Sequence, residues 1–173
     1  MSDPGTLTLV AAPIGNLSDI TPRAIEVLTA ATHIACEDTR VTGKLLSKLN
    51  IENSGKLISY REQNENYMAS EIADRMAAGE DIALIADAGT PAISDPGARL
   101  VAAVRQAGYR VLPLPGASSV TTALSASGMT GDNGFVFAGF LASKSAERQQ
   151  AVQALAQESR AVILLEAPHR IEA

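Results

Sequence analysis

The run Ile82-Ala83-Leu84-Ile85-Ala86 and the segment after it, Asp87-Ala88-Gly89-Thr90-Pro91-Ala92-Ile93-Ser94-Asp95-Pro96-Gly97, decide the fold. The first five residues are a short apolar stretch between turn formers, the pattern of a buried strand. Beyond the loop, Leu100, Val101 and Val104 recur at helical spacing, with Asp95 read as the N-cap and Pro96 as the first helical residue. The loop therefore leaves the carboxyl end of a strand and enters a helix, the place where open α/β sheets bind small ligands. Gly89 permits positive φ and close backbone approach, while Pro91 and Pro96 stiffen the segment. Two readings stay open here: a preformed cradle for a metabolite, or a connector whose glycines and prolines only turn the chain.

The same alternation extends outward in both directions. Strands are expected at residues 6–12, 33–36, 57–60, 82–86 and 110–114. Between them, Thr21-Pro22 opens a helix with Ala24, Ile25, Leu28 and Ala31 on one face, and a second helix runs through Lys44 and Leu45 to about Asn50. A third, capped near Asn64 and ending at Gly79, carries Met68, Ile72 and Met76 four apart. An Ala/Ser-rich helix follows the fifth strand, to about Ser127. This order predicts an α/β fold: a largely parallel five-stranded sheet with helices on both faces. The loops 13–20, 37–40, 87–97 and 115–119 would then gather on one edge, and three of them are rich in Gly, Pro, Ser and Asp.

After the turn from Gly128 to Gly134 the style changes. Phe135-Val136-Phe137-Ala138-Gly139-Phe140 reads as an aromatic-rich strand, followed by a helix with Val152 and Leu155 inward and the strand Ala161-Val162-Ile163-Leu164-Leu165. A unit of roughly 40 residues buries too little surface to stand alone. Residues 1–130 are therefore expected to form an N-terminal α/β domain, and 131–173 the beginning of a second α/β domain that is cut short. The competing reading is that these strands extend the first sheet.

Hydrophobic content of 46% with only 3% aromatic residues fits an aliphatic α/β core. A net charge of −5 argues against bulk electrostatic coating of nucleic acid. It leaves room for a local basic strip: Arg40, Lys44 and Lys48 share a helical face, and Lys144, Arg148 and Arg170 come later, although solvated surface is the simpler reading of each. No apolar run reaches the ~20 residues of a membrane span, and no basic-apolar leader is present, so a cytoplasmic protein without membrane contact is expected. Cys36, the single cysteine, lies in an apolar run and reads as a buried inert thiol. Two histidines and one cysteine, scattered, suit no metal site. No G-x-G-x-x-G follows the first strand, and Thr42-Gly43-Lys44-Leu45 lacks the remaining parts of a P-loop. Ser118 and Ser119 lack the setting of a nucleophile elbow.

Five blocks occur in order: Ala12-Pro13-Ile14-Gly15-Asn16-Leu17-x-Asp19-Ile20-Thr21, Glu37-Asp38-Thr39-Arg40, Asp87-Ala88-Gly89-Thr90-Pro91-x-Ile93-x-Asp95-Pro96-Gly97, Pro113-Leu114-Pro115-Gly116 and Glu166-x-x-His169-Arg170. Together they resemble the small-subunit ribosomal RNA branch of the tetrapyrrole-methylase-like (class III) S-adenosylmethionine methyltransferases, from about Leu7 to the last residue. The resemblance implies two α/β domains with the cofactor, S-adenosylmethionine, in the cleft between them, and a homodimer. It implies methylation of the ribose 2′-hydroxyl of a cytidine in 16S (small-subunit) ribosomal RNA. Tetrapyrrole methylases usually have a more glycine-rich first loop with a Gly-Asp pair, so Pro13-Ile14-Gly15-Asn16-Leu17 favours the RNA branch.

Carried over by resemblance, the cofactor positions are Pro13 and Gly15 in the first loop, Asp87, Gly89, Thr90 and Pro91 in the main loop, and Pro115, Gly116 and Ser118 in the third. Backbone N–H and C=O groups left uncovered by such loops suit an adenine and a carboxylate, and a sulfonium prefers acidic or carbonyl neighbours. A ribose hydroxyl is weakly acidic, so a general base helps its attack. Glu37, Asp38, Asp95 and His169 are the candidates. For Glu37 and Asp38 the alternative is capping or pairing with Arg40, for Asp95 a plain N-cap, and for His169 a structural role or an RNA contact. Two other functions compete: a methylase of a tetrapyrrole or a protein side chain on the same fold, and a non-catalytic metabolite-binding or dimerisation module.

Overall fold

The computed structural model describes residues 3–129, 131 and 133–171, so Thr130 and Asp132 of the expected turn lie outside the described residues. The chain divides into two compact units, Met1–Ser118 and Ser119–Ala173. The sequence reading put its boundary at 130/131.

The first unit alternates strand and helix: β1 (Thr6–Val10), α1 (Pro22–Ala30), β2 (His33–Cys36), α2 (Thr39–Lys48), β3 (Leu57–Ser59), α3 (Glu65–Ala77), β4 (Ile82–Ile85), α4 (Ala98–Gln106) and β5 (Arg110–Pro113). The strands form one sheet in the order β3-β2-β4-β1-β5, and every neighbouring pair is parallel. β4 lies between β1 and β2, with Ile82 in register with both Leu7 and His33.

All four residues of β4 are buried, as a strand covered on both faces requires. Its side chains alternate between two cores. Ile82 and Leu84 join Leu7, Ile72, Met76, Leu100 and Val104, while Ala83 and Ile85 join Val10, Ile34, Leu28 and Leu46. α1 and α2 therefore cover one face, and α3 and α4 the other. Each large aliphatic side chain taken fully out of water contributes about 1.5–3 kcal/mol. Thr21 caps α1 as its sequence predicts, accepting from the Ala24 N–H at 3.1 Å.

The start of α4 differs from expectation. The helix begins at Ala98, with Gly97 rather than Asp95 at the N-cap, at φ 132°. Its first free amide is met from another element: the Gly97 N–H donates to Glu65 Oε1 at 3.2 Å. A carboxylate delivered by α3 replaces the side-chain cap that Asp95 would have supplied. Asn64 likewise precedes α3 without capping it; its Oδ1 accepts from the Arg61 N–H at 2.7 Å.

The second unit holds α5 (Ser119–Ser127), β6 (Phe135–Phe140), α6 (Ser145–Leu155) and β7 (Ala161–Leu165). β6 and β7 pair in parallel as a separate two-stranded sheet and do not extend the first one. No described residue of this unit is buried. Val152, expected to point inward, is 48% exposed, because two strands offer too little surface for α6 to bury a side chain against.

Ile72→Ala should lower the unfolding free energy by about 2–5 kcal/mol in urea titrations, since Ile72 is fully buried between α3 and the sheet. Val152→Ala should change it by no more than about 0.5 kcal/mol. Equal losses would contradict this division of core and surface.

Candidate functional site

Because all five strands are parallel, every loop leaving a strand's carboxyl end emerges on one edge of the sheet. The β4 loop, residues 86–97, sits at the middle of that edge and is tied to its neighbours. Ala12 and Gly89 exchange both backbone hydrogen bonds, Ala12 N–H to Gly89 O at 2.9 Å and Gly89 N–H to Ala12 O at 3.0 Å. The Thr90 hydroxyl donates to Ala117 O at 3.0 Å, joining the β5 loop. Asp87 Oδ1 accepts from the Asp38 N–H at 3.3 Å, joining the β2 loop. The contact between Glu65 and Gly97 closes the far end. Arg61, after β3, reaches back to Glu37 O at 3.0 Å through Nε.

Gly89 is buried and adopts φ 74°, a conformation costly for residues with a Cβ. Its N–H and C=O both bond to Ala12, so this backbone is fixed against the end of β1. Ala92 and Ser94 also have positive φ, at 65° and 59°. Two non-glycine residues in this region store on the order of 1–3 kcal/mol each, held by the surrounding ties. A Cβ on Gly116 would lie 2.7 Å from the Ala11 Cβ, so glycine there allows the β5 loop to pack against the end of β1.

Pro13, Gly15 and Asp87 line one groove of about 340 Å³ with Leu17, Val41, Leu45, Lys44 and Lys48. Pro91, within the β4 loop, is buried, Ser118 is half-buried, and Pro115 and Gly116 are exposed on the same edge. The acids of the edge differ in state. Burial, and then the charges of Glu37 and Asp87, push the Asp95 carboxyl above its ordinary value. Asp38 caps α2 through the Arg40 N–H at 2.8 Å, and the Arg40 guanidinium beside it holds its carboxyl well below the usual carboxylate range. Asp38 is thus a cap and ion-pair partner, and a weak base. Burial raises the Cys36 thiol, as expected for an inert core cysteine.

His169 lies in the second unit, exposed on the short turn Pro168–Arg170. The adjacent Arg170 pairs with Glu166 at 3.3 Å and donates to Leu141 O and Ala142 O, both at 3.1 Å. Among the described residues no group of side chains suits a metal ion.

Glu65 escaped the sequence reading. It is buried, pairs with Arg99 at 3.5 Å, and anchors the end of the β4 loop. The signal was an acid on the apolar stripe of α3, in phase with Met68, Ala69, Ile72 and Met76. Tyr60 is buried near it, and burial followed by the Glu65 charge raises its phenol above the ordinary value.

Comparison with known proteins adds three findings. Residues 6–173 match the family model of Tetrapyrrole (Corrin/Porphyrin) Methylases. Proteins named ribosomal RNA small subunit methyltransferase I are 52% identical in Synechocystis sp. over 96% of this chain, 51% in Vibrio cholerae over 95%, and 47% in Escherichia coli O157:H7 over 96%. The chain covers 59%, 56% and 57% of those relatives. Among solved structures, a uroporphyrin-III-C-methyltransferase from Thermus thermophilus aligns with TM-score 0.63 at 24% identity, covering 95% of this chain and 69% of that one. A diphthine synthase aligns with TM-score 0.73 at 14% identity, covering 96% and 66%. These two likenesses concern the fold.

The raised Asp95 carboxyl carries a stability signature. Ionised Asp95 costs the folded state free energy at pH values above its folded pKa, and that cost disappears as pH falls below the ordinary value of 3.8. Asp95→Asn should therefore raise the urea midpoint at neutral pH, with the gain fading on acidification. A gain that grew toward acid would contradict the assignment.

Proposed function

The chain belongs to the tetrapyrrole (corrin/porphyrin) methylase family, and from that premise we propose that it serves S-adenosylmethionine-dependent methylation of small-subunit ribosomal RNA. The acceptor in this reading is the ribose 2′-hydroxyl of a cytidine. The observation that carries it is a coincidence of sequence and place. The blocks 12–21, 37–40, 87–97 and 113–116, which resemble the RNA branch of the family, are the segments gathered and tied at one sheet edge. The names of the relatives from Synechocystis sp. and Vibrio cholerae support the same substrate class.

Pro13, Gly15, Asp87, Gly89, Thr90, Pro91, Pro115, Gly116 and Ser118 are the residues proposed to hold the cofactor. Asp87, with Glu37 and Asp95 acting on one another across the edge, suits a cationic ligand. The cofactor supplies an activated methyl group on a cationic sulfur. The chain's part is alignment of the hydroxyl and acceptance of its proton. Asp95, with its raised carboxyl, and Glu37 beside it are the bases proposed for that step; Asp38 positions α2, and His169 stands as an RNA contact or a second proton acceptor.

Residues 1–130 are read as the half that carries the cofactor loops, and those from 131 as part of a second α/β domain, since β6 and β7 pair only with each other. A homodimer and a cytoplasmic site of action complete the proposal. No helix among the described residues is long and apolar enough to cross a membrane.

Calorimetry with adenosylmethionine and methyl transfer from labelled cofactor to purified small ribosomal subunits test this reading. Binding, and label in ribosomal RNA but not in free tetrapyrrole, is the expected result; label in the tetrapyrrole alone would overturn the RNA assignment. Gly89→Val places a β-branched residue at φ 74° and should weaken cofactor binding at least about tenfold. Gly43→Ala, whose new Cβ meets only Leu57 Cδ1 at 3.7 Å, should leave binding unchanged.

A further inference from the structure

α2 carries Arg40, Lys44 and Lys48 and no acidic residue, in a chain whose net charge is −5. The three cations are not equivalent. Arg40 is neutralised by Asp38, with Nη2 2.8 Å from Oδ2. Lys44 and Lys48 are exposed, and among the described residues neither has an ion-pair or hydrogen-bond partner. Lys48, in the last turn, gains from the helix dipole, but Lys44 sits mid-helix where that stabilisation has faded. The two lie four residues apart, stacked on one face about 6 Å along the axis.

Both ammonium-bearing side chains line the groove described above. Its opposite wall is Pro13, Gly15 and Leu17 of the β1 loop, with Asp87 from the β4 loop. Val41 and Leu17, both in the groove, are 43% and 38% exposed, large fractions for apolar side chains. The groove thus combines a cationic rim, an apolar wall and an opening onto the strand-end loops. Single-stranded nucleic acid asks for this combination: phosphates beside lysines, with sugars and bases against apolar surface.

Building on the ribosomal RNA reading above, we propose that the α2 groove grips the substrate strand, with Lys44 and Lys48 on its phosphates, and delivers the target ribose to the cofactor loops. These lysines position the RNA and take no part in the chemistry. Because they contact the backbone, they weaken or strengthen every sequence alike.

The test is anisotropy binding of a fluorescent single-stranded fragment of small-subunit ribosomal RNA over a salt series, with adenosylmethionine calorimetry alongside. For wild type, log K should fall linearly with log salt. K44A/K48A should bind about tenfold more weakly at low salt and show a slope shallower by about 1–2, at roughly 0.7 per lost single-strand phosphate contact. Its cofactor affinity and thermal midpoint should match wild type. Arg105→Gln, in the last turn of α4, should change neither slope nor affinity. An unchanged slope in K44A/K48A, with wild type still binding RNA, overturns the clamp and leaves the RNA reading standing. Weakened cofactor binding in the double variant also overturns it, by giving the lysines to the cofactor. Wild type that binds adenosylmethionine but no RNA would sink the RNA reading and the clamp together.

Discussion

The reciprocal hydrogen bonds between Ala12 and Gly89 continue the pairing of β1 with β4 beyond both strand ends, but in the antiparallel sense. A parallel pair can be followed by an antiparallel bridge only if the chain doubles back, and the positive φ of Gly89 makes that reversal possible. Once the bridge is in place, Thr90 is carried to Ala117, and Asp87 meets the start of α2. A loop of otherwise irregular backbone thereby becomes a fixed surface, held from β1, β2, β5 and α3. The strain at Ala92 and Ser94 persists because these ties over-determine the path.

The charges of the edge follow the same plan. Asp95 is half-buried and feels Glu37 and Asp87, so the middle of the edge is acidic and favours a cation. Asp38 is drawn out of that cluster by Arg40, and its role becomes the capping of α2. Further along α2 the sign reverses at Lys44 and Lys48. A cationic cofactor near the acids and a polyanionic strand near the lysines would each meet complementary charge, with the groove between Pro13 and Val41 joining them.

Much of this architecture was legible in the residues. Four consecutive apolar residues marked β4 as a strand buried on both faces, and Thr21-Pro22 marked the start of α1. Strict alternation places the strand-end loops on one edge, and the family resemblance then singles out Pro13, Gly15 and Asp87 within them. What was not legible depends on partners distant in sequence. The start of α4 shifted from Asp95 to Gly97 because its cap comes from Glu65, 32 residues earlier. Glycine loops leave backbone amides and carbonyls uncovered in general, whereas those of Gly89 pair with Ala12, far away in the sequence. Val152 follows a helical apolar pattern, but that pattern carries no information on whether a sheet wide enough to bury it lies opposite.

The most direct measurement is a backbone amide NMR titration of the isotopically labelled chain with adenosylmethionine. The expected result is shift changes concentrated in residues 13–17, 87–91 and 115–118, with Thr32, Gly108 and Tyr109 at the opposite edge unmoved. Shifts centred on that opposite edge, or confined to residues after Ser119, would contradict a site built from the tied strand-end loops.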